Sequence, residues 1–424
     1  MKLTRIGQGL LAVAASAGLG FGITSCSPSQ TIDYLFVTSN SAAAGSNGDG
    51  QITAYHVDSQ SGAISQVAGT PVDSKGANPV SAVTTPNQQF LYVANHGGNN
   101  IAEFAIGTDG QLAFGHTYTT AGSEPVSLAI NSTGTLLFVL DYYGPGFSDS
   151  TPGPGILIVY PINADGTLGT PVASGGQPYS TVQCFPGGVA VSASGAYAYV
   201  SNTNSVVITT SPPSTPTPPA TPSSCPTQGT ISGFTVASSG ALTPISGSPF
   251  AAGTTPTAIA IDLTSRFVYT TDSVQNQLIV YQILGGGVLL PLTNGPFSST
   301  GTFPAGIVID PRDKYLYITN FNSSTISAYT ISQVTGQPSG LATSSFDTHG
   351  ASPTCILVDP AFGRFIYTAL SHDNLVAAAK LDPNTGELTG VQNSPYTVSG
   401  TATCVAAVPH GNHANQFVTA FPGQ

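Results

Sequence analysis

Charge is what this sequence has least of. Of 424 residues, 8 are Lys or Arg and 19 are Asp or Glu, so charged side chains make up 6%, against roughly 25% in an ordinary soluble domain. Tryptophan is absent and methionine occurs once. The net charge of −11 excludes a nucleic-acid partner, which demands a cationic footprint. The shortage of Glu, Lys and Arg beside 49 Gly and 33 Pro excludes long helices. Disorder of the highly charged kind is excluded too, because 40% of the chain is hydrophobic. What is plentiful (Gly, Ser, Thr and β-branched or aromatic residues) describes an all-β protein of short strands and many turns.

The N-terminus reads as an address. Lys2 and Arg5 precede an uncharged apolar stretch from Leu10 to Gly22, too short for an ordinary membrane span. It ends at Ile23-Thr24-Ser25-Cys26, which resembles the lipobox of bacterial lipoproteins. The resemblance implies a signal peptide over residues 1–25, lipid on Cys26, a tether over 26–33, and attachment to the cell envelope. Ser27 after the cysteine favours the outer membrane or periplasm; plain secretion is the alternative. The mature chain keeps 6 cations and 19 anions, a net −13.

Self-comparison supplies the architecture. One unit combines Pro304-Ala305-Gly306-Ile307-Val308-Ile309-Asp310-Pro311, then Tyr315-Leu316-Tyr317-Ile318-Thr319-Asn320, then Thr325 to Ile331. Each piece has the length and alternation of a strand, and the joints are Asp-Pro and Asn turns. The unit restarts at Pro79, Pro125, Pro186, Pro256, Pro304, Pro353 and, in degenerate form, Ala402, at intervals of 46, 61, 70, 48, 49 and 49 residues. Periods of roughly 40–50 residues with about four strands each mean propeller blades. The chain enters on a second-strand motif, Tyr34-Leu35-Phe36-Val37, and leaves on a first-strand motif. The spacing therefore predicts a seven-bladed β-propeller over 34–424, four antiparallel strands per blade, closed by strands from both termini.

The Tyr-Val-Ala/Thr-Asn element (Tyr92 to Asn95, Tyr317 to Asn320) resembles the seven-bladed lactonase-type propellers, which include the propeller 6-phosphogluconolactonases. In that branch, blades often open Pro-Arg-His, which places basic side chains at the channel mouth. Here the arginine positions hold Val80, Val126, Gly187, Thr257, Ala305, Thr354 and Thr403, and the histidine positions hold Ser81, Ser127, Gly188, Ala258, Gly306, Cys355 and Cys404. Not one is basic, whereas a phosphorylated lactone needs cations for its phosphate and for the developing oxyanion.

Two insertions, 142–154 and 203–228, fall between second and third strands and so project from the face where first strands begin. The second contains Ser211 to Pro219, a proline-rich run suited to an extended arm, either inert or partner-docking. Beyond Cys26, four cysteines remain, and an exported chain pairs them. Cys184 and Cys225 belong to one blade and its insert; Cys355 and Cys404 share one register on neighbouring innermost strands, so bridges Cys184–Cys225 and Cys355–Cys404 are expected. No Cys-x-x-Cys, phosphate-loop or dinucleotide motif occurs, so neither a metal nor a cofactor is expected.

The titratable groups of the strand-start face are the remaining candidates. His349, His372 and Glu124 suit acid–base chemistry, and His96, Asp141, Tyr142, Tyr143, Asp272 and Asp373 suit binding. The reading is an envelope-anchored binding or scaffolding propeller, a monomer that meets the membrane through its lipid. Its strand-start face would take a small molecule, a glycan or an envelope protein. The alternative is a lactone hydrolase with a diverged active site.

Overall fold

The computed structural model describes residues 30–40, 48–203, 225–413 and Gln416. The expected signal peptide, Cys26 and most of the second insert lie outside the described residues. Seven antiparallel sheets form the ring. Blade two is typical, running Pro79–Thr84, Phe90–Asn95, Asn100–Ile106 and Leu112–Thr119 from the channel outwards. Second strands are buried end to end, so they read as continuous apolar runs, while outer strands alternate or are exposed.

Closure is as the offset repeats require. Thr31–Asn40, Gln51–Asp58 and Ile64–Gln66 supply three strands of blade one, and Thr401–Pro409 adds its innermost strand from the C-terminus. Thr31–Asn40 thus starts at the strand-end face, opposite Pro409, and finishes at the strand-start face opposite Thr401.

The recurrent tyrosine has a mechanical role. Each donates its hydroxyl across the blade boundary to the carbonyl of a turn glycine: Tyr92 to Gly166, Tyr199 to Gly287, Tyr269 to Gly336, Tyr317 to Gly386 and Tyr367 to Gly62, at 2.5–2.9 Å. The glycine is obligatory there. Gly386 has φ 77°, and a Cβ on it would lie 2.3 Å from the Tyr315 ring. Burying a tyrosine with its hydroxyl satisfied keeps the apolar gain without an unpaired polar group.

The innermost strands are stitched to their neighbours as well, in two places through a second-strand side chain, Ser201 or Thr319. One hydrogen bond crosses each of the seven interfaces: Leu128 N to Ser81 Oγ, Val189 N to Ser127 Oγ, Ser201 Oγ to the Thr257 carbonyl, Thr257 Oγ1 to Pro304, Thr319 Oγ1 to Thr354, Thr354 Oγ1 to Thr403, and Thr84 Oγ1 to Ala407. The strands approach so closely that a Cβ on Gly306 would lie 2.1 Å from the Thr354 carbonyl oxygen. Small and hydroxylated residues occupy the channel mouth because they join the ring.

Both disulfides are formed. Cys184–Cys225 ties the second insert to the end of blade three, and Cys355–Cys404 links the innermost strands of blades seven and one, with Cα–Cα separations of 5.7 and 4.8 Å.

Candidate functional site

The strand-start mouth is built from two repeated positions. The residue before each blade's opening proline adopts a left-handed conformation at Asn78, Glu124, Phe185, Phe303 and Ser352. Its carbonyl accepts the amide of the residue that follows a second strand: His96 on Asn78, Thr203 on Phe185, Phe321 on Phe303 and Ser371 on Ser352. Its own amide is also held, from Glu124 to Asn99 Oδ1 and from Phe303 to Asn276 Oδ1, both at 2.7 Å. Turns of adjacent blades therefore fix these side chains as pairs around the mouth.

Over blades two to four the pairs form a titratable arc. His96 Nε2 lies 3.6 Å from Glu124 Oε2, and the His96 ring stands edge-on to Tyr142 at 6.3 Å. Tyr142 packs on Tyr143 at 4.9 Å and on Phe185 at 5.5 Å. Tyr143, Phe185 and the Cys184–Cys225 bridge form a small buried cluster beneath. The first insert folds back here, and Tyr143 donates its hydroxyl to Asp149 Oδ1 at 3.0 Å.

This packing shifts both partners of the His96–Glu124 pair. Burial, reinforced by the Asp149 charge, pushes the Glu124 carboxyl up to about 7. Burial also holds the His96 imidazole below its usual value, and its Nδ1 is buried without a partner. A carboxyl that exchanges its proton near neutrality beside a neutral imidazole is equipped for proton transfer.

Across the ring the same positions carry different chemistry. Phe303 and Phe321 pack at 5.7 Å, Phe321 meets His372 at 6.2 Å, and His372 Nδ1 hydrogen-bonds Ser352 Oγ at 2.7 Å. Asp373 accepts the Ala351 amide. His349 stands apart, 64% exposed, with Nδ1 3.6 Å from Asp347. Among the described residues, no hydrogen bond or ion pair joins His349 to His372, or either to Glu124. Glu124 is partnered with His96 instead.

Asp141 and Asp272 are fully buried at the ends of second strands. Asp141 Oδ2 accepts the Gly122 amide, and Asp272 accepts those of Thr254, Thr255 and Gln275. They occupy the register of Asn95, which likewise holds the incoming loop of its own blade through the Ser74 carbonyl, and of Asn202 and Asn320, whose amides bond the third strand instead; burial pushes Asp141 up to about 7. Two participants in the titratable arc escaped sequence reasoning. Asp149 lies in an insertion that has no repeat register; Phe185 is signalled only by its place before Pro186.

The family model described as "Lactonase, 7-bladed beta-propeller" matches residues 46–142 and 228–358, more than half of the chain. The chain belongs to this lactonase propeller family. It is 24% identical over 336 residues to the 6-phosphogluconolactonase of Yersinia pestis, spanning 76% of this chain and 86% of that protein. The fold also superposes on the periplasmic gluconolactonase of Pseudomonas aeruginosa with a TM-score of 0.66 and 17% identity, covering 88% of this chain and 99% of the other. A protein from Lactobacillus plantarum gives a TM-score of 0.64 at 15% identity, covering 89% and 99%. Within this lactonase propeller, five of the mouth positions expected to be basic, Ser81, Ser127, Thr257, Thr354 and Thr403, are used for stitching.

Proposed function

We propose that this chain is an exported lactonase-family propeller, anchored through Cys26, that binds an uncharged, oxygen-rich ligand of the lactone or sugar class at the arc over blades two to four. The observation that carries the reading is the lack of any basic residue at fourteen mouth positions, five of which are small hydroxylated residues engaged at blade interfaces. A phosphate entering this arc would meet Glu124 and Asp149 rather than Arg or Lys. Tyr142 and the partly exposed Phe147 offer faces for a sugar-like ring.

One observation favours a second reading, hydrolysis of a neutral lactone. His96 as a neutral base would take a proton from the attacking water, and protonated Glu124 would return one to the departing ring oxygen. The chain from Ser27 onward, offered glucono-δ-lactone and its 6-phosphate, separates the two. We expect calorimetric binding of the neutral lactone that Tyr142→Ala weakens, and only background hydrolysis of the phosphate. Turnover of the neutral lactone that Glu124→Gln abolishes would select the second reading. Turnover of the phosphorylated lactone would overturn both.

A further inference from the structure

The strand-end face carries four of the seven exposed large apolar side chains among the described residues, all on two adjacent blades. Leu263 (50% exposed), Leu284 (38%), Leu290 (50%) and Val334 (82%) lie in or beside the turns of blades five and six. Single exposed apolar residues need no explanation, but a group on one face does. Hydrogen bonds hold these turns together: the Arg266 guanidinium donates to the Gln333 carbonyl, and Ile283 N donates to the Arg266 carbonyl at 2.7 Å. Elsewhere the exposed apolar residues are scattered, with Phe114 on an outer strand, Phe147 in the first insert and Val274 on the strand-start face.

The cations gather on the same face, whose exposed or half-buried acids, Asp58, Asp109, Asp165, Asp382 and Glu387, lie in turns of blades one, two, three and seven rather than beside the apolar group. Arg266, Arg312, Lys314, Arg364 and Lys380 all sit at this face, which leaves Lys75 as the sole mature cation elsewhere. Asp262, Asp310, Asp313 and Asp359, from the same turns, are buried, and Asp262, Asp310 and Asp359 accept backbone amides there. Arg266 and Lys314 remain exposed beside the apolar side chains. Leucine and valine flanked by long cationic side chains suit the boundary between acyl chains and headgroups.

The tether decides the partner. Gln30 emerges at this strand-end face, where its carbonyl accepts the Ser59 amide. Four residue steps separate it from Cys26, a reach of about 14 Å when fully extended. The strand Thr31–Asn40 then crosses the disc, and its ten residues span about 33 Å. A tether less than half that long cannot bring the opposite face to the membrane.

We infer that the strand-end face rests on the lipid surface through Leu263, Leu284, Leu290 and Val334, so that the mouth and its two arcs point away from the membrane. This rests on the anchoring of Cys26 proposed above. The test uses the full lipidated protein in vesicles of phosphatidylethanolamine and phosphatidylglycerol, with a polarity-sensitive fluorophore on Val334→Cys or on Val274→Cys. Both sites are exposed, so neither substitution threatens folding. The position-334 probe should shift to the blue and lose intensity to spin-labelled lipid, while the position-274 probe keeps its aqueous emission. Equal or greater quenching at position 274, or none at either, would overturn the orientation. A blue shift at 334 without quenching by lipid would mean a protein partner and overturn it also. Mass analysis of Cys26 separates the two readings: an unacylated cysteine defeats the anchor and the orientation together, whereas acylation with either failed quenching pattern defeats the orientation alone.

Discussion

On one side of the mouth, His96 and Glu124 are drawn half under Tyr142, Phe185 and a folded-back insert. On the other, His372 rests between Phe321 and a serine hydroxyl, and His349 projects into solvent. Both arcs stand on the loops that precede first strands and follow second strands, joined by the same kind of backbone hydrogen bond, His96 N to the Asn78 carbonyl in one and Ser371 N to the Ser352 carbonyl in the other. What separates them is the covering. The insert and the Cys184–Cys225 bridge lower the local polarity over blades two to four, and nothing comparable is described over blades six and seven. Backbone geometry places a titratable group; the burial of its neighbours decides what that group can do.

Removing the cover should have the largest effect. The double substitution Cys184→Ser, Cys225→Ser releases the second insert at Cys225 from the buried aromatic cluster beneath the arc, at an expected cost of about 2–4 kcal/mol in a denaturant titration. Unchanged stability would mean that the aromatic packing alone holds the arc.

A smaller, pH-dependent effect belongs to Glu124. Its carboxyl moves from 4.5 to about 7 on folding, so between these values the unfolded chain has lost a proton that the native chain retains. Stability from this group therefore falls as pH rises through that window and levels off above it. His96, held down by burial, works the other way and loses its contribution as pH falls below its usual 6.5. Melting temperatures of wild type and Glu124→Gln across pH 4–8 isolate the carboxyl: their difference should swing against the wild type from about pH 4.5 to 7. A flat difference would show an unburied carboxyl.

The smallest effect is expected in the other arc. His349→Ala removes an exposed ring and a solvent-screened contact with Asp347, so stability should stay within about 0.5 kcal/mol by the same titration. A larger loss would mean that the two arcs are not so differently covered.

The blades were legible because the repeat writes its contacts into every period. Proline opens a strand, tyrosine rivets a glycine turn, and Asn or Asp closes the second strand. The same regularity explains why Asp141 and Asp272 resemble site residues when met singly: only alignment with Asn95 and the other residues of that register reveals positions that bond their own blade, Asn95, Asp141 and Asp272 as loop anchors. His96, Glu124 and Tyr142 were each visible as polar or aromatic groups of one face. Their association was not, because it joins the turn of one blade to the loop entering the next and depends on an insert. Asp149, which helps set the Glu124 value, belongs to no period and had no signal to give.

Ring closure by both ends has a consequence in time. The Thr38 hydroxyl accepts the amide of Cys404, 366 residues later in the chain. A polypeptide appears N-terminus first, so the strand carrying Thr38 must wait, one edge unpaired and both faces apolar, until Thr401–Pro409 is made. The ring therefore cannot be completed piecemeal. Loss of only the final strand, Thr401–Pro409, would leave seven sheets with one of them open, a template for joining another chain edge to edge.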